Sequence, residues 1–205
     1  MSDYSRPRYE SAKSGLASLL SGALASLLTM LAILGFMWAV EIFDYLTPGN
    51  IDYAYGIRGW DPDGLVGVFT APFLHGGFGH LMANSLPLLV LGFVAGLRGI
   101  GKFLAASLLI IVIGGVGTWF TSPGTYTVGA SGLVFGYFGY VVARGLFDRR
   151  LLDVVLGLGV AAAYWSILAG VLPGTPGISW QGHLFGLIGG VVAAWVLRRP
   201  AGAIR

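Results

Sequence analysis

Long uncharged stretches alternate along this chain with short arginine clusters, and the alternation can be counted. Apolar runs of roughly 17 to 26 residues recur at about 16–41, 79–98, 102–121, 131–147, 151–172 and 181–198, each the length a helix needs to cross a hydrocarbon layer about 30 Å thick. The pattern predicts six membrane-spanning helices behind a polar tail, residues 1–15. The first run is too long for the apolar core of a signal peptide, and no small-residue cleavage site follows it, so it reads as a span. Residues 44–78 fit no span. Their apolar stretch, Leu65 to Leu74, is about half the required length. It is rich in glycine, proline and aromatics, which suits a connection lying in the interface or dipping partly into the membrane.

Charge fixes an orientation for this pattern. Arg6, Arg8, Lys13, Arg98, Lys102, Arg144, Arg149, Arg150, Arg198, Arg199 and Arg205 all fall on one side of a six-span arrangement. Only Arg58 falls on the other, in a loop with Asp44, Asp52, Asp61 and Asp63. The positive-inside rule then places both termini in the cytoplasm, which implies a multi-pass protein of the plasma membrane.

Composition agrees. Charged residues make up 10% of the 205 and hydrophobic ones 56%, where a soluble domain would carry about a quarter charged. One compact all-α bundle, residues 1–205, is expected, with the lipid bilayer as its surroundings. The net charge of +3 is explained by topology and gives no reason to expect nucleic acid as a partner. Cysteine is absent, which excludes disulfides, thiol catalysis and cysteine-ligated metals.

Few polar residues stand in or beside the spans: His75, His80 and His183, with Asn84 and Ser131, stand out. Ionisable groups at membrane depth are costly and usually face the bundle interior or a wet cavity. Counted at 1.5 Å per residue, Asn84 and His80 stand roughly 21 and 27 Å above Arg98, Ser131 about 27 Å above Arg149, and His183 about 22 Å above Arg198. These four share one layer near the outer surface. His80 and Asn84, four apart, share a helix face; Ser131 and Phe135 share another, continued by Gly139. Gly132-xxx-Gly136 and Gly182-xxx-Gly186-xxx-Gly190 are small-residue stripes that let helices approach closely. If they meet, Ser131 and His183 come together at their common end. A serine nucleophile needs a nearby base and donors awaiting an oxyanion, and this layer offers both.

Each feature alone has a plainer reading. Membrane serines commonly bond their own backbone, a single histidine often only packs, and His80 with Asn84 could be an interhelical pair. A three-histidine metal site is poorly served by His75 and His80, five apart, so no metal or other cofactor is expected. A proton or ion path would need polar groups across the membrane, and below the layer the spans are almost wholly apolar. No internal repeat of the transporter kind is visible.

Together, "HGGFGHLMAN", "GASG" (129–132) and "GHLFGLIGG" (182–190), in that order and topology, resemble the rhomboid intramembrane serine proteases of the minimal six-span kind. The resemblance implies that Ser131 is the nucleophile and His183 its base, in a dyad without a carboxylate. It implies that His80 and Asn84, with the Ser131 N–H, bind the oxyanion. Phe135 stands where an aromatic stacks on the histidine ring, and Gly129, Gly132, Gly186 and Gly190 support the turn and the close packing. His75 matches a histidine of structural support. Where many bacterial members carry Trp-Arg in the outer loop, this chain has Val66-Gly67. The implied reaction is hydrolysis of a peptide bond in or near a transmembrane helix of a single-span protein, at a small residue. Span five and the loop 172–181 are the implied gate and cap. A catalytically silent relative that only binds transmembrane clients is the alternative, although such proteins typically lack the serine or the histidine.

Overall fold

The computed structural model describes residues 6–199; the ends 1–5 and 200–205, with Arg205 and the start of the predicted tail, lie outside that range. Helix α1 (Arg6–Leu46) outruns the predicted 16–41 at both ends. Its one proline, Pro7, falls in the first turn, where no backbone N–H is needed. It stops two residues ahead of Pro48, which disfavours helix at the residue before it. The part apolar enough to cross a membrane is Ala17–Leu46.

The predicted outer loop is a chain of short turns: α2 (Ile51–Tyr55), strand β1 (Ile57–Arg58), a 3₁₀ turn (Pro62–Val66), α3 (Gly67–Thr70) and a second 3₁₀ turn (Ala71–Phe73). Leu65, Val66 and Phe69 are exposed, while Val68 and Ala71 are buried. One apolar face is thus turned outward and the other packs on the bundle. The loop is pinned without a Trp-Arg pair at 66–67. Arg58 donates to the carbonyls of Tyr53 and Ala54, each at 3.0 Å, and pairs with Asp61 at 2.7 Å. The indoles of Trp60 and Trp119 donate to the carbonyls of Phe120 and Asp61, at 2.7 and 2.9 Å. Gly67 lies against the Gly56–Ile57 backbone, where a Cβ would collide. That close fit is why glycine stands at the second position of the pair.

Then follow α4 (Phe78–Gly96), α5 (Ile100–Thr121), strand β2 (Tyr126–Thr127), α6 (Ser131–Asp148), α7 (Leu151–Tyr164) and α8 (Trp180–Val196). Predicted span five continues beyond α7 as a 3₁₀ turn, Trp165–Val171. The other predicted boundaries move by no more than two residues. β2 pairs antiparallel with β1, Ile57 opposite Thr127 and Arg58 opposite Tyr126. This ribbon ties the loop to the segment that leads into Ser131.

Among the described residues four segments are long and apolar enough to span alone: Ala17–Leu46, α4, α5 and Leu151–Val171. α6 is the central helix of the all-α bundle, enclosed by the others, and it packs on α8, which still turns Ile188, Val191, Trp195 and Val196 outward. Helices screened from lipid have no need of a greasy surface, so α6 tolerates Tyr137, Tyr140 and Arg144, all buried. Its phenol at Tyr137 lies 2.8 Å from Ser107 Oγ on α5, as a buried hydroxyl requires. At the opposite end from Ser131, a buried ion cluster locks the turn after α4 to α6 and α7. Arg98 bonds Asp148 at 2.6 Å and also Asp153; Arg144 lies 3.1 Å from Asp153 and over the Tyr140 ring. The site layer is therefore held from below by charges that neutralise one another.

Candidate active site

Two helix N-termini build the site. Gly129, at φ +120°, turns the chain into α6 and leaves Ser131 as the first helical residue. A Cβ on Gly129 would sit 2.6 Å from Cε1 and 2.8 Å from Nε2 of His80. Glycine is needed there twice, for the left-handed backbone and for the approach of that ring. On α8 the Ser179 hydroxyl accepts from the Gly182 N–H at 3.2 Å, capping the helix and placing His183 in its first turn.

α6 and α8 cross where neither has a side chain. A Cβ on Gly186 would meet the carbonyl of Gly132, and one on Gly190 the carbonyl of Gly136. With the backbones this close, Ser131 Oγ and His183 Nε2 stand 2.9 Å apart. The Phe135 ring, one turn below Ser131, stacks on His183 with centroids 4.1 Å apart and planes 10° from parallel. The other ring nitrogen, Nδ1, lies 2.9 Å from the carbonyl oxygen of Gly170, a residue that sequence reasoning did not single out.

His80 and Asn84 project from one face of α4 toward Gly129. The Asn84 amide donates to the His80 carbonyl at 3.2 Å, so it is presently engaged within its own helix. The Gly76 N–H donates to His80 Nδ1 at 3.4 Å, which leaves Nε2 as the protonated nitrogen of the neutral ring. His75 is buried and its Nε2 accepts from the Ala130 N–H at 3.3 Å, fastening the loop ahead of α4 to the residue before Ser131. Burial, and secondarily the nearby His80, push the His75 imidazole down to about 4. It therefore stays neutral and keeps the lone pair that Ala130 uses. The rings of His75 and His80 meet edge to face at 5.2 Å.

All the predicted residues thus gather at one end of the α4–α6–α8 group, except Gly190, which lies two turns down the packing seam. Ser131, His80 and His183 open into a cavity of about 600 Å³, walled also by Gly76, Thr125–Val128 and Gly177–Ser179. A smaller cavity of about 40 Å³ lies behind Ser131, lined by Val68, Ile110, Gly114, Thr118, Gly132 and others.

This arrangement can be set beside known proteins. The family model described as the Rhomboid domain matches residues 62–200, a stretch that holds every predicted site residue. The chain belongs to the rhomboid family. The chain is also similar to the Mycobacterium tuberculosis protein Rv1337, described as uncharacterized, 44% identical over 181 residues, which are 84% of this chain and 75% of that one. A Mycobacterium leprae protein, ML1171, also described as uncharacterized, is 41% identical over 181 residues, 84% of this chain and 71% of its own. The rhomboid protease GluP of Bacillus subtilis is 33% identical over 138 residues, 66% of this chain and 27% of GluP. Family membership and the apolar helices make this a multi-pass membrane protein of a protease family.

Proposed function

We propose that this rhomboid is an intramembrane serine endopeptidase, cutting peptide bonds in or near the transmembrane helices of single-span proteins. The observation that carries the proposal is the 2.9 Å contact between Ser131 Oγ and His183 Nε2, at two helix ends that share one cavity. His183 Nε2 accepts the hydroxyl proton as Ser131 attacks the scissile carbonyl. The oxyanion is met by the Ser131 N–H, an orphan donor of the first helical turn, and by the side chains of His80 and Asn84. For His80 the Gly76 contact supports the needed tautomer, with Nε2–H as donor. Asn84 must turn its amide from the His80 carbonyl to take part. His183 then returns its proton to the leaving amine, and water entering by the larger cavity releases the acyl group. The smaller cavity has room for a side chain of alanine or serine size, which favours cleavage after small residues. The arginine distribution supports both termini in the cytoplasm and a site open to the outer face of the plasma membrane.

The test is cleavage of a generic single-span protein by the purified rhomboid in liposomes, beside Ser131→Ala and His183→Ala. Loss of cleavage in both folded variants supports the dyad. Cleavage surviving in either contradicts it, and wild-type protein that binds the substrate uncut supports a client-binding role instead.

A further inference from the structure

Nothing in the side-chain pattern around His183 explains how its ring is held in the one tautomer a base requires. Among the described residues no carboxylate bonds it; its Nδ1 faces the Gly170 carbonyl at 2.9 Å. A carbonyl oxygen can only accept, so Nδ1 must carry the hydrogen, and in the neutral ring Nε2 then presents a lone pair to Ser131. Given the dyad reading above, on which this inference rests, we propose that Gly170 is the positioning residue of the site. Its backbone carbonyl does the work that a buried carboxylate does in three-membered serine sites.

The local sequence keeps this carbonyl free. Gly170 lies in the 3₁₀ turn Trp165–Val171, where a carbonyl bonds the N–H three residues on. The Leu172 N–H closes onto Ala169 in that way, at 3.2 Å. For Gly170 the donor would come from residue 173, and that residue is proline, which has none. The side chain is excluded as well. A Cβ on Gly170 would lie 2.9 Å from His183 Nδ1 and 2.9 Å from Phe135 Cζ, wedged against the stacked pair.

The turn is also the least secured part of the site. None of its residues is buried, and Leu151–Val171 is the least enclosed of the four long spans. Trp165, Leu168 and Leu172 point apolar surface outward. The orienting acceptor of His183 thus rides on the span that the rest of the bundle encloses least. The base is set only while the turn is docked, so displacing span five disarms the dyad.

A backbone carbonyl can be weakened without changing a side chain. Replacing residue 171 by the α-hydroxy analogue of valine makes the Gly170 carbonyl an ester carbonyl, a poorer acceptor. The α-hydroxy analogue of leucine at 172 makes the Val171 carbonyl the ester and removes the N–H that bonds Ala169, yet leaves the Gly170 carbonyl an amide. The expected result is a fall of about tenfold in kcat for the 171 ester with KM unchanged, and near-normal kcat for the 172 ester. Nitrogen-15 spectra of the full-length protein in detergent should show His183 as the Nδ1–H tautomer, with the Nε2–H form rising in the 171 ester. Equal kcat in the two esters, or an Nε2–H ring in the unmodified protein, overturns the assignment. The spectra need no turnover, so they test Gly170 separately from the dyad, whose own failure would appear as cleavage by Ser131→Ala.

Discussion

Adding one methyl group at Gly186 should disable the site, while adding one 3.5 Å away should not. A Cβ on Gly186 overlaps the Gly132 carbonyl oxygen and lies 3.0 Å from its carbon and 3.1 Å from the Gly132 Cα. Carbon atoms rest at about 3.5–4.0 Å, so α8 must retreat by about 0.5–1 Å. His183 is three residues away, roughly 4.5 Å along the helix, and receives nearly the whole displacement. Its 2.9 Å contact with Ser131 then opens to about 3.5 Å or more, beyond a working hydrogen bond. Overpacking of this kind costs about 1–3 kcal/mol of stability, and misplacement near 1 Å costs about 10²-fold in turnover. A Cβ on Gly114 meets Gly186 from the α5 side at 3.5 Å, an ordinary contact. Gly186→Ala should therefore lose about 10²-fold in kcat while still unfolding cooperatively, and Gly114→Ala should stay within about threefold of wild type. The assay is substrate cleavage in liposomes with thermal unfolding of the same samples. Unchanged turnover in Gly186→Ala, or equal losses in both, would refute the idea that glycine packing sets the distance between serine and histidine.

Three further outcomes follow from the same geometry. Phe135→Tyr should keep the 10° stack on His183 and near-normal kcat/KM, whereas Phe135→Leu, which fills space without a flat face, should lose up to about tenfold; kinetics on both variants decide it. Asp153→Asn leaves Arg98 and Arg144 without their shared buried partner and should cost about 3–5 kcal/mol in thermal unfolding, while Asp63→Asn, on the outer loop, should cost almost nothing. Two groups of the outer loop pull the pH response in opposite directions. The unfolded chain protonates His75 below 6.5 and the folded chain only near 4, so stability falls as pH drops through that window, by about 3 kcal/mol at most. Burial and the Asp44 charge raise Asp52 from 3.8 to about 6, with only the backbone N–H of His75 pulling the other way. The folded chain therefore holds the Asp52 proton between those values and gains stability as pH falls through them. In Asp52→Asn the opposing contribution is gone, and unfolding at pH 4.5 against pH 7 should show a steeper acid loss than wild type; an identical slope would contradict the assignment.

Much of this was legible in the sequence, and the reason is particular. In a chain with so few polar residues, a helix rise counted from the arginines places His80, Asn84, Ser131 and His183 in one layer, and glycine spacing tells which helix faces lie close. What escaped reading has no side chain to announce it. The partner of His183 Nδ1 is the backbone of Gly170, and only Pro173, three residues on, hints that this carbonyl is free. The change of span five from α-helix to 3₁₀ left no trace in an apolar run that suits either. Arg58 had been visible as the one basic residue on its side, but its role in fastening the loop depends on carbonyls of Tyr53 and Ala54 that come near only after folding. The early start of α1 was masked by polar residues, which end an apolar run without ending a helix.

The most direct measurement is the site of covalent capture by a fluorophosphonate, which reacts with a serine only when a base has activated it. Purified wild-type protein, digested and examined by mass spectrometry, should carry one adduct on Ser131, strongly reduced in His183→Ala and in the 171 ester. An unlabelled Ser131 in folded protein, or equal labelling without His183, would contradict a serine nucleophile driven by that histidine.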